Sequence, residues 1–163
     1  MYEQELQLAI QAAQKAGNFL KERKNIKIDL LEGKDIKLSS DKQSEKIIFE
    51  QLSDSNIPIL SEEAGFIGIK GEFCWVVDPI DGTINYFRGL DELSCVSIAL
   101  CKNGEPVLGV VYRFSTNELF YGIIGQGAFK NGESLTPSTV NSINQAVIAT
   151  GFPVKRSYST ESL

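Results

Sequence analysis

The sequence predicts an α+β fold, two N-terminal helices packed on a mainly antiparallel sheet, and three observations carry that prediction. Leu6, Ile10, Ala13, Gly17 and Leu20 recur at helical spacing. A second helical pattern follows a capping signature. Beyond it come β-rich runs separated by Asn-Gly pairs, with no helical stretch between them to serve as a crossover. The 163 residues, 42% hydrophobic and 23% charged, suffice for one ordinary globular core.

The first amphipathic helix is expected from about Tyr2 to Arg23 as a packing helix. A polar segment from Lys24 to Ser40 follows. Ser40, with Gln43 three residues on, resembles a capping box ahead of Ile47, Ile48 and Leu52, which places Asp41 at a helix N-terminus. Ser53 to Asn56 ends that helix with side chains that compete for backbone hydrogen bonds. Ile57 to Leu60 and Phe73 to Val77 are short apolar runs that end directly in acidic residues, so each predicts a strand delivering carboxylates at its C-terminal end. Ser94 to Leu100 and Val107 to Tyr112 flank Asn103-Gly104 and predict a hairpin. Glu118 to Ile124 continues the series, Asn131-Gly132 marks another turn, and Ala146 to Ala149 predicts the start of a further strand, broken by Gly151, Phe152 and Pro153 before a polar tail.

Composition excludes several classes of function. A formal charge of −5 does not suit a nucleic-acid surface, which concentrates Lys and Arg against phosphates. No stretch approaches membrane-spanning length, and the N-terminus lacks a basic cluster ahead of an apolar run, so neither a membrane segment nor a secretory signal is expected. Cys74, Cys95 and Cys101 lie in apolar strand-like surroundings and read as reduced core thiols of a cytoplasmic protein. The chain has no histidine. That removes a phosphohistidine intermediate, a Ser-His-Asp or Cys-His relay and His-ligated zinc from this chain, and leaves oxygen ligands for any metal, which favours Mg²⁺, Mn²⁺ or Ca²⁺.

The segment Trp75 to Thr83, WVVDPIDGT, carries the chemistry. Trp75, Val76 and Val77 form a buried strand with Asp78 at its end, and Pro79 is expected to stop it because proline fixes φ and lacks a donor. Asp81 follows three positions later, so a turn between them points both carboxylates at one place. Gly82 relieves that turn and admits a ligand to the backbone. Thr83 then opens a helix or turn whose unpaired N–H groups suit a phosphate. Two carboxylates beside such a site would repel phosphate, so the charge balance implies a divalent cation, with Glu62 and Glu63 supplying further acid from the neighbouring strand end. A bridging carboxylate such as Asp78 can hold two metals about 3.5 to 4 Å apart, the spacing that clamps attacking and leaving oxygens in phosphoryl transfer. Taken singly, these residues are ordinary loop acids and caps, and Asp41 is a helix N-terminal acid. The case rests on their combination.

This string, continued by Ile84, Asn85, Tyr86, Phe87, Arg88 and Gly89, resembles the signature of the inositol monophosphatase family. The Asp41/Glu45 pair, the Glu62-Glu63 pair, GVVY at 109–112, GQGAF at 125–129, NGE at 131–133 and TGFP at 150–153 resemble it in order. The resemblance implies the first part of a layered αβαβα fold, residues 1–163 forming its N-terminal α+β portion with a C-terminal α/β portion absent. It implies an Mg²⁺-dependent, lithium-sensitive phosphatase using two or three ions per complete site, homodimeric when whole and acting on a small phosphate ester. Glu62, Asp78 and the carbonyl of Ile80 would hold one metal, Asp78 and Asp81 a second. Thr83 and Asp41 would orient the attacking water and help deprotonate it, and the backbone of Gly82 and Thr83 would hold the phosphate. The family supplies one more metal-binding Asp, in a Trp-Asp motif far downstream, and this chain stops before it. Gly89 to Glu92 also depart from the usual stretch beside the site. A 3′(2′),5′-bisphosphate nucleotidase, and a non-catalytic regulatory or partner-binding protein, remain the alternatives.

Overall fold

The computed structural model describes residues 2–23, 26–32 and 35–149. Helix α1 (Glu3–Lys21) buries Leu6, Ala9, Ala12, Ala13, Ala16, Gly17 and Leu20, a stripe of mostly small residues that lets it lie close to its neighbours. Two strands, β1 (Ile28–Glu32) and β2 (Asp35–Leu38), pair antiparallel and lead into helix α2 (Ser39–Leu52). An eight-stranded sheet follows, built from β3 (Ile59–Ser61), β4 (Gly65–Ile67), β5 (Phe73–Asp81), β6 (Cys95–Lys102), β7 (Glu105–Arg113), β8 (Glu118–Ile123), β9 (Gly127–Lys130) and β10 (Glu133–Leu135), with the short helix α3 (Thr83–Phe87) after β5. Its order is β10-β9-β8-β7-β6-β5-β3-β4. Every neighbouring pair is antiparallel except β3 and β5, which run parallel.

The two helices pack on one face of this sheet, α1 over β6 and β7 and α2 over β5. Between them lies the core of Trp75, Val77, Ile80, Val96, Ile98, Leu100, Val110, Tyr112 and Phe114. The α+β prediction is therefore met. Trp75 is fully buried and donates its indole N–H to Ser55 Oγ at 3.0 Å, so the largest core side chain leaves no unpaired donor. Residues of the opposite parity, among them Cys74, Val76, Ser97, Ala99 and Cys101, face the other side and are partly exposed. Asn103-Gly104 and Asn131-Gly132 adopt positive φ at both positions, the geometry that matches a two-residue hairpin to strand twist.

Several expectations need correction. The polar segment before α2 contains the β1–β2 ladder, and β4 adds a strand that the sequence pattern does not predict. Helix α2 begins at Ser39, one residue ahead of the expected cap, and it is Asp41 rather than Gln43 that closes its first turn, accepting the Leu38 N–H at 2.6 Å. Pro79 does not end its strand: β5 continues to Asp81 through an irregularity between Asp78 and Asp81. Residues 146–149 are in no strand, and Val147 is fully exposed. The three cysteines are free thiols, but they line the open side of the sheet rather than its core. The TGFP string and the tail lie outside the described residues. No helix among the described residues is long and apolar enough to cross a membrane.

Candidate active site

The site is assembled by two strands that run the same way. Ser61 of β3 lies beside Val77 of β5, and Glu62 N–H donates to the Val77 carbonyl at 3.1 Å, so Glu62, just past the end of β3, sits beside Asp78 where the β3–β5 pairing stops. Asp81 joins them through the bulge. Asp78 faces Ser97 and Asp81 faces Cys95, so three steps along β5 match two along β6. Residues three apart on a regular strand point to opposite faces, and the one extra residue restores Asp81 to the face of Asp78. Pro79, which has no N–H to give a ladder, sits where the ladder is already interrupted.

Asp78 accepts the Ile80 N–H at 3.1 Å and shares a hydrogen bond with Glu62. Burial, then the Glu62 and Asp81 charges, push its carboxyl up to about 8. Glu62 and Asp78 line one cleft of about 440 Å³ with Leu60, Val76, Ser97 and Ala99. Asp41 is buried at the start of α2, and its carboxyl is pushed up to about 7 by burial and by the nearby Glu63 and Glu62. Glu63 turns aside to pair with Lys37 of β2 at 2.8 Å.

Gly82 has φ +86°, and a Cβ there would meet the Leu93 carbonyl at 2.6 Å, so glycine is required both by conformation and by space. Thr83 opens α3, where the first N–H groups have no partner within the helix. Its hydroxyl donates to the Ile80 carbonyl at 2.9 Å, which brings together two residues the resemblance assigns to the site. A direct Asp41-to-Thr83 hydrogen bond is not formed among the described residues: Asp41 accepts the Leu38 N–H, and the Thr83 hydroxyl gives its one proton to the Ile80 carbonyl.

Sequence reasoning did not single out Ser44 or Arg23 as supports of this arrangement, and named Glu45 only as half of the Asp41/Glu45 pair. Ser44 donates its hydroxyl to the Pro79 carbonyl at 2.9 Å from the buried face of α2. The adjacent Glu45 accepts the Ser61 hydroxyl and the Ala64 N–H, the latter at 3.1 Å, and so holds the chain on either side of Glu62 and Glu63. Just past the end of α1, Arg23 pairs with Asp91 and donates to the Tyr86 carbonyl at 2.9 Å, and Tyr86 returns its hydroxyl to the Leu20 carbonyl at 2.9 Å. The polar face of α2, with Ser44 and Glu45 among buried neighbours in the helical pattern, was the available signal for the first pair. Nothing local marked Arg23.

Among the described residues no three acidic or cysteine side chains converge into a ready-made cation cage. The donors nevertheless suit a hard divalent ion: Glu62 and Asp78 lie side by side where the β3–β5 pairing stops, and Asp81 adds a carboxylate on the same face. Glu62, Asp78, Asp81 and the Ile80 carbonyl are the residues that would hold it.

Residues 1–162 match the inositol monophosphatase family. The chain belongs to that family. It is 37% identical over 158 residues to the Nus factor SuhB of Pasteurella multocida, covering 93% of this chain and 59% of that protein. It is 36% identical over 163 residues to inositol monophosphatase 2 of Solanum lycopersicum, covering 94% and 61%. The crystal structure of the suppressor protein suhB of Bartonella henselae superposes with a TM-score of 0.80 at 34% identity, covering 85% of this chain and 56% of that one. An IMPase/NADP phosphatase complexed with NADP and Ca²⁺ is similar at a TM-score of 0.73 and 26% identity, covering 83% and 53%. This family member thus spans about three fifths of the curated relatives it matches.

Proposed function

We propose that the protein to which this chain contributes is an Mg²⁺-dependent phosphomonoesterase that hydrolyses inositol monophosphate or a similar small sugar phosphate. The observation that carries the reading is the meeting of Glu62 and Asp78 where the parallel β3–β5 pairing ends, with the bulge turning Asp81 to the same face beside the Gly82–Thr83 helix start. Two to three Mg²⁺ ions complete the site in this reading, and the Ca²⁺ in the similar IMPase/NADP phosphatase agrees with an oxygen-ligated divalent cation. A bound cation supplies positive charge that admits an anionic phosphate and acidifies water.

The chain's own residues do the rest. Glu62, Asp78, Asp81 and the Ile80 carbonyl place the positive charge. The backbone of Gly82 and Thr83 receives phosphate oxygens, and the Thr83 hydroxyl, with Asp41 behind it, orients the attacking water and takes part in removing its proton. Hydrolysis is in line and forms no covalent bond to the enzyme. Residues 1–163 are then an N-terminal portion, completed by a C-terminal α/β portion that brings a further metal-binding Asp, in a homodimer of the cytoplasm, with no nucleic acid or membrane as partner.

The test is hydrolysis by the complete protein, with and without Mg²⁺, of inositol monophosphate and of a 3′(2′),5′-bisphosphate nucleotide; preference for the latter would select the nucleotidase alternative. Asp78→Asn is expected to lower Mg²⁺-dependent turnover more than about 100-fold, beyond what loss of an outer-shell partner costs. Unchanged turnover would overturn the metal assignment. A second reading, a partner-binding regulatory protein on the same fold, draws support from the relatives named as a factor, and a complete protein that hydrolyses neither substrate while keeping its fold would favour it.

A further inference from the structure

Cys74 and Cys101 are the one directly opposed cysteine pair in the β5–β6 register, and both thiols lie partly exposed on the open face of the sheet. Asn103 N–H donates to the Glu72 carbonyl at 2.7 Å two positions earlier in the ladder. Bonded and unbonded pairs alternate in an antiparallel ladder, so 74 and 101 form a bonded pair, with Cα atoms about 5.5 Å apart. That lies within the spacing a disulfide spans, while the Cβ atoms have to close by about 1 Å. The surrounding chain allows this movement. The β6–β7 ladder is irregular between Leu100 and Cys101, and Cys101 there faces Pro106, which donates no ladder hydrogen bond.

From this geometry we infer that Cys74 and Cys101 are a reversible dithiol pair that closes to a cross-strand disulfide in exchange with a small disulfide such as oxidised glutathione. One protein thiolate attacks a glutathione sulfur and releases one glutathione thiolate. The second protein thiolate then attacks the mixed disulfide, the protein S–S bond forms and the second glutathione leaves. Two protein thiols lose two protons and two electrons, and one glutathione disulfide becomes two glutathione molecules. Burial holds both thiols above the usual cysteine range, with Glu105 adding to the effect at Cys101, so each rests as a protonated thiol and exchange is slow. The closure that the bonded register demands makes the link easier to reduce than a structural disulfide. Cys95 is separated from this pair along β6, where its thiol donates to the Asp81 carboxylate at 3.8 Å.

The ring of chain closed by such a link contains Asp78, Asp81, Gly82 and Thr83, so the redox state of the open face bears on the rigidity of the candidate site. Formation of the link does not depend on which reaction that site performs.

The intact protein is equilibrated with mixtures of reduced and oxidised glutathione, quenched with iodoacetamide, digested and mapped by mass spectrometry. The expected result is a peptide pair joined through Cys74 and Cys101, each lacking one hydrogen, whose fraction rises with the oxidised share and returns to free thiols with dithiothreitol. Cys95 is alkylated throughout, and Cys101→Ser leaves Cys74 carrying one glutathione in place of the link. The inference is overturned if Cys74 and Cys101 are both alkylated at every ratio, if each carries its own glutathione, or if either is joined to Cys95.

Discussion

Glu45 touches nothing that would react, yet it grips the strand end that presents Glu62. With Ser61 buried against it, Glu45→Ala leaves that hydroxyl without its acceptor, at about 1–3 kcal/mol. It also frees the Ala64 N–H beyond Glu62. We expect Glu45→Ala to weaken Mg²⁺ binding about 10- to 100-fold, the range for residues that orient a ligand. Glu45→Gln, which keeps an acceptor oxygen for both donors, restores most of the affinity. Calorimetric titration with Mg²⁺ checks this, and equal affinity in Glu45→Ala and the parent protein would remove Glu45 from the site. At this scale the placement of the candidate residues was legible in the sequence, because a carboxylate after an apolar run and a Gly before a helix start are local signals. Their supports were not. Ser44 and Arg23 act across 35 and 63 positions of chain, on the carbonyls of Pro79 and Tyr86, and no local pattern encodes a partner that distant.

Close approach is what each element of the helical layer contributes. Gly17 of α1 has no room for a side chain: a Cβ would come within 2.5 Å of Tyr112 Cδ1 and 2.8 Å of Phe114 Cβ. Gly17→Ala is therefore expected to destabilise by about 1–3 kcal/mol despite alanine's better helix propensity, because packing against β7 outweighs the local gain. A urea titration would show the midpoint falling with its slope unchanged, and an equal or higher midpoint would contradict so close a seating of α1 on β7. Both helices were legible, α1 from an apolar stripe that runs over several turns and α2 from a capping-type start ahead of Ile47, Ile48 and Leu52. The hairpin turns were legible as well, because Asn-Gly demands a specific backbone. The short strands were not. β4 is Gly-Phe-Ile, too brief to show alternation, and β1 and β2 are short strands in a charged stretch. Pro79 misled for a physical reason: proline is barred from a regular central strand, and the bulge makes this one irregular where proline falls.

As a whole, the molecule folds around a concentration of acidic groups that it keeps in part protonated or, at Glu63, paired with Lys37. Asp41 and Asp78, raised to about 7 and about 8 from an ordinary value of 3.8, keep protons in the folded state that the unfolded chain releases above about pH 4. Their stabilising contribution is fully present below about pH 4 and is lost as pH rises through 7 and 8. The metal-free protein should therefore melt at lower temperature as pH climbs from about 5 to about 9. Mg²⁺ should recover more of the loss at the alkaline end, where it no longer competes with protons. Melting curves with and without Mg²⁺ test both statements, and a flat metal-free profile would speak against the burial of these acids. The parallel pairing of β3 with β5 brings Glu62 and Asp78 together, and it bears on how the fold tolerates change. Two neighbouring strands that run the same way need a return path between them. Here that path, residues 62–72, swings out through β4 at the edge of the sheet and past Gly71, around which there is open space. Chain can be lengthened or trimmed on the β4 side of Gly71 without displacing Glu62, Asp78 or Asp81, which makes the return path the natural place to graft a new segment.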